Sequence, residues 1–304
     1  MAPINMAVII PCYNEEITIK QVINKFQLIL PEAKVYVFDN NSADKTGEIA
    51  KTSGATVIRE KRQGKGFVVQ SMFKKVNADI YIMVDGDDTY DVSNIEEMIS
   101  LISRDEADMV VGNRLKTYSG KSFRPFHAFG NKLVRFLINK LFQVNLKDIM
   151  SGFRVMSSDF VKNINITSGG FEVETEMTIK TLKYGYVIKE VDIHYGERPE
   201  GSYSKLSTIS DGLLVLKTIF IIFKDFKPLL FFTAVSGILL LISLLSGSVV
   251  ILEFLETRYI THVPLAIFAS GAMILAIILF VTGITLDSIN RRFDELYGMI
   301  RNRE

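Results

Sequence analysis

Through residues 1–225, apolar positions fall into short runs separated by polar clusters. Ala7–Ile10, Val35–Phe38, Thr56–Ile58, Ile80–Val84 and Met109–Val111 are runs of strand length, rich in β-branched residues. Between them apolar residues recur at helical spacing, as in Glu16–Leu30 and Phe67–Val76. Strands alternating with helices predict an α/β domain with a mostly parallel sheet. Ligands of such sheets sit beyond the carboxyl ends of the strands. The polar clusters Pro11–Glu15, Asp39–Thr46 and Asp85–Asp88 fall there.

The pattern changes after residue 228. Leu229–Leu252 and Pro264–Leu286 carry no charged residue. Each is longer than the ~20 residues that cross a bilayer core. The short connector Glu253–Val263 makes them a hairpin. Lys217, Lys224 and Lys227 precede it and Arg291, Arg292, Arg301 and Arg303 follow, against Arg258 alone in the connector. The positive-inside rule then places both flanks in the cytoplasm. The expected organisation is a cytoplasmic domain over 1–205, a membrane-proximal amphipathic segment over 206–227, a transmembrane hairpin over 228–290 and a cytoplasmic tail over 291–304. Leu206–Lys227 either lies in the membrane interface or packs on the catalytic domain.

Composition narrows the classes. Of 304 residues, 48% are hydrophobic and 23% charged, which is a folded chain rather than a disordered one. A net charge of +1 with no arginine-rich run argues against a nucleic-acid partner. The single cysteine, Cys12, fits a reducing compartment. The N-terminal segment reads as a first strand rather than a signal peptide. The three histidines, His127, His194 and His262, lack metal-ligand spacing.

Candidate chemistry lies in the polar clusters. Asp85-Gly86-Asp87 follows an apolar run directly, and two carboxylates one residue apart at a strand end can meet one divalent cation. Mg2+ and Mn2+ favour such oxygen ligands, and the ion would neutralise a diphosphate leaving group. Pro11-Cys12-Tyr13-Asn14-Glu15 is a strand-to-helix turn whose Glu15 complements a helix dipole. Asp39 stands where a carboxylate can bind a ribose or a base edge, while Ser42 and Asp44 can cap the next helix. Gly64-Lys65-Gly66 opens a helix, and its glycines, helix N-terminus and Lys65 suit phosphate.

These segments occur in one order with GNR at Gly112–Arg114, DIMSGFR at Asp148–Arg154 and RPEGSYSKL at Arg198–Leu206. Over residues 5–210 the set resembles family 2 glycosyltransferases with the GT-A fold. Within them it resembles polyprenyl-phosphate glycosyltransferases of the dolichol-phosphate mannosyltransferase type, many bacterial members of which share the C-terminal pair of spans. The resemblance implies that Pro11, Tyr13, Glu15 and Asp39 hold the nucleotide and that Asp85 and Asp87 bind metal and diphosphate. It also implies that Arg114 and Arg198, with Ser202 and Lys205, approach the acceptor or the diphosphate. It further implies an inverting transfer, with UDP-glucose or UDP-N-acetylglucosamine leading the donors and undecaprenyl phosphate as acceptor. The lipid-linked sugar would serve cell-envelope glycan modification. One position departs from the pattern: where many relatives carry glutamine after the acidic motif, this chain has Thr89.

Physical chemistry favours the same acceptor class. A sugar hydroxyl needs a general base, whereas a phosphate monoester is already anionic near neutrality and needs cations to place it. Arg114, Arg124, Arg154 and Arg198 lie within or beside the motifs, and arginine suits bidentate phosphate contacts. Asp148 is the remaining candidate base; orienting an arginine, or bonding the turn Ser151-Gly152-Phe153, is the favoured role. Glu174 and Glu176 should begin a helix, and one of them can face the donor sugar. A polysaccharide synthase acting on a sugar hydroxyl is the leading alternative, and the absence of tryptophan counts against its Gln-x-x-Arg-Trp motif. A nucleotidyltransferase fits the downstream SGFR and EGSYSK segments poorly. A non-enzymatic membrane scaffold would neither bind nor transfer a nucleotide sugar. A homo-oligomer stays open.

The topology is directly testable. In a Cys12→Ser background, a cysteine at Thr261 should react with an impermeant thiol reagent in intact cells, and one at Asn302 should not. The reverse pattern would invert the topology.

Overall fold

The computed structural model describes residues 4–115, 125–170, 172–199, 201 and 220–301. Arg124, Ser202, Lys205, Asn302 and most of the segment 206–227 lie outside the described residues. The chain forms two compact units, Met1–Val215 and Leu216–Glu304.

The first unit is built on seven strands: β1 (Met6–Cys12), β2 (Lys34–Asp39), β3 (Thr56–Arg59), β4 (Ile80–Met83), β5 (Met109–Asn113), β6 (Arg154–Ser157) and β7 (Ile188–Asp192). Their order across the sheet is β3-β2-β1-β4-β6-β5-β7. All neighbours are parallel except β6, which runs antiparallel to both β4 and β5. Helices α1 (Ile19–Ile29), α2 (Thr46–Thr52), α3 (Lys65–Lys75), α4 (Ile95–Ser103), α5 (Pro125–Phe142), α6 (Ser158–Asn163) and α7 (Val173–Lys183) connect and cover them.

Alternation along β1 shows how the layers form. Val8 and Ile10 enter one core with Val22, Ile23 and Phe26 of α1 and Ile95, Met98 and Ile102 of α4. Ala7 and Ile9 enter the other, with Val68, Val69 and Met72 of α3 and Phe160 of α6. Burial on both faces explains why these strands read as continuous apolar runs. The five expected strands are present. β6 and β7 carried too weak a pattern to be read: one is four residues long and opens on an arginine, and the other, IKEVD, has three charged residues in five.

From β1 the chain proceeds outward to β2 and β3, then returns so that β4 lies on the other side of β1. That reversal opens a crevice at the carboxyl ends of β1 and β4, the place where open α/β sheets bind ligands.

The second unit contains a short π-helical turn, Ile222–Phe226, then α8 (Pro228–Thr257) and α9 (Val263–Arg301). Both are long and apolar enough to cross a membrane. Only 11% and 17% of their most apolar windows is buried within the protein, which fits a lipid-facing surface rather than a soluble core. Their seam is made of small residues, as membrane helix pairs require. Ser236 Oγ donates to Ala276 O and Ser243 Oγ to Ala269 O, each at 2.8 Å. A Cβ at Gly283 would fall 2.8 Å from Phe232 Cβ, so the helices approach there as only glycine allows. α9 runs past the apolar stretch to Arg301 without a break, so the expected tail begins as helix. The pairs Asp287–Arg291 and Arg292–Glu295 support it at helical spacing.

Of the two acids expected at the start of a helix, Glu176 is structural. Its carboxylate accepts from Thr167 N, Thr167 Oγ1 and Ser168 N, and pairs with Lys180 at 2.7 Å. Burial alone would raise its pKa, but Lys180 and these donors outweigh burial and hold the carboxyl at about 2. A carboxylate depressed in the folded state contributes stability above its unfolded value and loses it as pH falls toward the folded value. Melting temperature should therefore drop for wild type between about pH 4.5 and about 2, and Glu176→Gln should flatten that drop while lowering stability at neutral pH. Identical pH profiles by circular dichroism would refute the assignment.

Candidate active site

β4 delivers the acidic motif to the crevice, and the turn is fixed by close approach to β1. A Cβ at Gly86 would lie 2.7 Å from Cys12 Sγ, so only glycine fits there. Thr18 Oγ1, at the head of α1, donates to Gly86 O at 2.6 Å and is fully buried. The next residue, Asp88, has φ 58° and turns away to pair with Lys25 of α1 at 2.6 Å. That leaves Asp85 and Asp87 as the carboxylates of the crevice.

Each of the two is held by a hydroxyl and faced by a cation. Thr89 Oγ1 donates to Asp87 Oδ1 at 2.6 Å. The residue standing in the glutamine position thus orients a carboxylate from behind. Arg198 NH2 lies 2.5 Å from Asp87 Oδ2, and its NH1 is 3.8 Å from Glu15. Tyr90 OH lies 3.5 Å from Asp85 Oδ2 and accepts from Gly152 N at 2.9 Å. Burial raises the Tyr90 phenol pKa, so it stays protonated and available as a donor. Lys65 Nζ is 2.5 Å from Asp85 Oδ1 and 2.5 Å from Glu174 Oε1. Burial opposes its charge, but the Asp85 and Glu174 carboxylates prevail and raise the ammonium's pKa.

The glycines flanking Lys65 serve packing. A Cβ at Gly64 or Gly66 would collide with the Gly169 or Ser168 carbonyl. Gly64, at φ 138°, also donates its N–H to Asn40 Oδ1 at 2.8 Å. Asn40 in turn donates to Glu60 O and Arg62 O, so it ties the loop after β2 to the start of α3. Beside it, Asp39 ends β2 opposite Cys12 of β1 and accepts from Ser42 N at 3.0 Å. Asp44 accepts from Thr46 N at 3.0 Å in the turn ahead of α2, whose N-cap position is Lys45 and carries no side-chain cap bond. Pro11 is the penultimate residue of β1, and Tyr13 beyond it is exposed.

A second group lies beyond β5. Arg114 makes a bidentate pair with Asp148, Nε to Oδ2 at 2.7 Å and NH2 to Oδ1 at 3.0 Å. Burial would raise the Asp148 pKa, but Arg114 holds it below the usual carboxylate range. The guanidinium also lies over the Tyr195 ring at 5.3 Å, and Tyr195 meets Tyr90 edge-on at 5.2 Å. This stack links the Arg114–Asp148 pair to the acidic motif.

Arg154 does not join the expected set of phosphate cations. It is fully buried and bonds Ser151 O, Ile149 O and Thr178 Oγ1. There it braces the turn that carries Gly152, because a chain bend with inward carbonyls needs buried donors. Sequence reasoning left Thr18, Tyr90 and Tyr195 without a role, and no local pattern marks them. Their long-range partners Gly86, Gly152 and Tyr90 lie 68, 62 and 105 positions away.

Asp85 and Asp87 offer the hard oxygen donors that Mg2+ or Mn2+ prefers, and both already attract positive charge. Among the described residues no group of three or more His, Cys, Asp or Glu side chains could hold a metal ion. The protein therefore fits an ion that takes its remaining ligands from water and phosphate oxygens.

Comparison with known proteins bears on the family and the fold. Residues 7–164 match the model of Glycosyl transferase family 2. The chain is 28% identical to glycosyltransferase AglJ of Haloferax volcanii over 290 residues, 94% of each chain. It is 29% identical to the dolichyl-phosphate hexose transferase of that organism over 215 residues, 71% of this chain and 92% of the relative. Protein RfbJ of Shigella flexneri is 52% identical over 123 residues, 40% of this chain and 95% of its own. Glucosyl-3-phosphoglycerate synthase from Mycobacterium tuberculosis, in complex with Mn2+ and UDP-glucose, superposes with a TM-score of 0.59 at 19% identity. That match covers 73% of this chain and 79% of the other, and carries the fold alone. The mixed seven-stranded sheet is of the GT-A kind that the motifs led one to expect.

A Cβ at Gly152 would press on the Asp85 carboxylate. Gly152→Ala should displace Asp85 and lower transferase turnover by roughly a hundredfold, with far-UV circular dichroism unchanged. Wild-type turnover would show that the position of Asp85 does not matter.

Proposed function

The chain belongs to glycosyltransferase family 2, and from that premise we propose that it moves a hexose or N-acetylhexosamine from a nucleotide sugar to a polyprenyl phosphate. UDP-glucose or UDP-N-acetylglucosamine is the proposed donor and undecaprenyl phosphate the proposed acceptor. The product would be a lipid-linked sugar for cell-envelope glycans.

The commitment of Asp148 to Arg114 is the observation that carries the acceptor reading. Both oxygens accept from the guanidinium and the carboxyl pKa is depressed, so Asp148 is a poor proton acceptor. A sugar hydroxyl would need such a base; a phosphate would not. The same pair fixes Arg114 and leaves it N–H groups for an anion. The two long apolar helices and the relative named dolichyl-phosphate hexose transferase both support a lipid carrier for that phosphate.

In this reading Pro11, Tyr13, Glu15 and Asp39 hold the nucleotide at the ends of β1 and β2. Asp85 and Asp87 would hold Mg2+ or Mn2+, which when bound neutralises the departing diphosphate. Lys65 adds fixed positive charge beside Asp85. Arg198, with Ser202 and Lys205, would grip the acceptor phosphate together with Arg114 and Arg124. Attack by the phosphate oxygen in one displacement inverts the anomeric centre. The catalytic unit would face the cytoplasm from a multi-pass anchor in the plasma membrane.

Membranes containing the protein, given a panel of radiolabelled nucleotide sugars and undecaprenyl phosphate, should yield one labelled lipid, β-linked by NMR. No labelled lipid with any donor would reject the proposal. Asp87→Asn should remove most of this activity with the fold intact, and EDTA should inactivate wild type. Full turnover in excess EDTA would reject the metal role.

A further inference from the structure

A lysine and two acidic side chains meet under the crevice. Lys65 Nζ is equidistant from Asp85 Oδ1 and Glu174 Oε1, at 2.5 Å each. The Lys65 side chain is 12% exposed and that of Glu174 6%, against 25% for Asp85. Asp85 is thus the most accessible of the three, and Glu174 sits behind the lysine. The acids of this turn are not equivalent. Glu176 is spent on the 167–168 backbone and Lys180, whereas Glu174 points its charge at Lys65.

A shared ammonium divides its attraction between two carboxylates. With Asp85 as its sole partner, Lys65 would compete directly with any cation that Asp85 is to bind. Two cations a few ångströms apart repel strongly where water is scarce. With Glu174 present, Lys65 can stay ionised and fixed while Asp85 gives its oxygens to another ion. It then remains beside the place where negative phosphate charge would arrive. Arg154 and Tyr90 also act on this trio through their charge or dipole. Arg154 is held by carbonyls and Thr178, and Tyr90 by Gly152 N, so neither can replace Glu174 as the lysine's partner.

We propose that Glu174 is a positioning residue for Asp85: by holding Lys65 from behind, it leaves the Asp85 carboxylate able to take a divalent cation and keeps the ammonium ready for diphosphate. The proposal rests on the metal role of Asp85 put forward above, and its test separates the two. Mn2+ alone is titrated into the full-length protein in detergent, and free Mn2+ is read by electron paramagnetic resonance. Asp85→Asn reports on the metal role. Glu174→Gln should weaken Mn2+ binding about tenfold, the usual effect of losing a group that orients a ligand. In a Lys65→Met background the same substitution should lose most of its effect, because the competing ammonium is gone. Glu174→Asp keeps the charge and should bind Mn2+ more tightly than Glu174→Gln, which guards against a mere folding defect. If Asp85→Asn weakens binding and Glu174→Gln does not, the inference fails while the metal role stands. Equal losses in both lysine backgrounds, or in the Asp and Gln variants, would also overturn it. If Asp85→Asn has no effect, both fall.

Discussion

Asp85 and Asp87 stand one residue apart at a strand end, and two like charges placed so close need cations facing them. Lys65 and Arg198 meet that requirement, and each comes from a different part of the chain. Lys65 opens α3, whose start is pinned by Asn40 and by the close approach of the 168–169 backbone. Arg198 follows β7, and the bridge between Tyr90 and Tyr195 lays that segment along the acidic turn. Much of the domain's irregular structure thus serves to bring positive charge to one strand end.

Steric constraints hold the same turn in place. Gly86 and Gly152 are the points where a single methyl group would strike Cys12 and Asp85. The buried Arg154 fixes the Gly152 turn from below, while Tyr90 ties it to Asp85 from the side. An ion that meets Asp85 therefore meets a carboxylate already oriented, with little reorganisation left to perform. Arg114 is oriented by the same principle, gripped at two points by Asp148 and stacked on Tyr195.

The hairpin of the second unit obeys different physics. With apolar surface on every side, association depends on close contact and on serines that satisfy carbonyls across the seam. Ser236 and Ser243 do so, seven residues apart and therefore on one face of α8. Beyond the apolar stretch α9 continues on ion pairs of helical spacing.

Much of this protein is legible in its sequence because the information is local. Runs such as Val35–Phe38 reveal strands, uncharged stretches reveal long apolar helices, and the order of short motifs reveals the GT-A fold. The acidic pair was visible for the same reason: its chemistry lies in adjacent residues. The antiparallel β6 and the charged β7 were not, since their strand character comes from neighbours far along the chain. Nor could spacing say which arginine Asp148 would orient, that Arg154 would turn inward, or which of Glu174 and Glu176 would reach Lys65. Those outcomes depend on which charges desolvation forces together, and only the folded chain decides which side chains lose water in the same place.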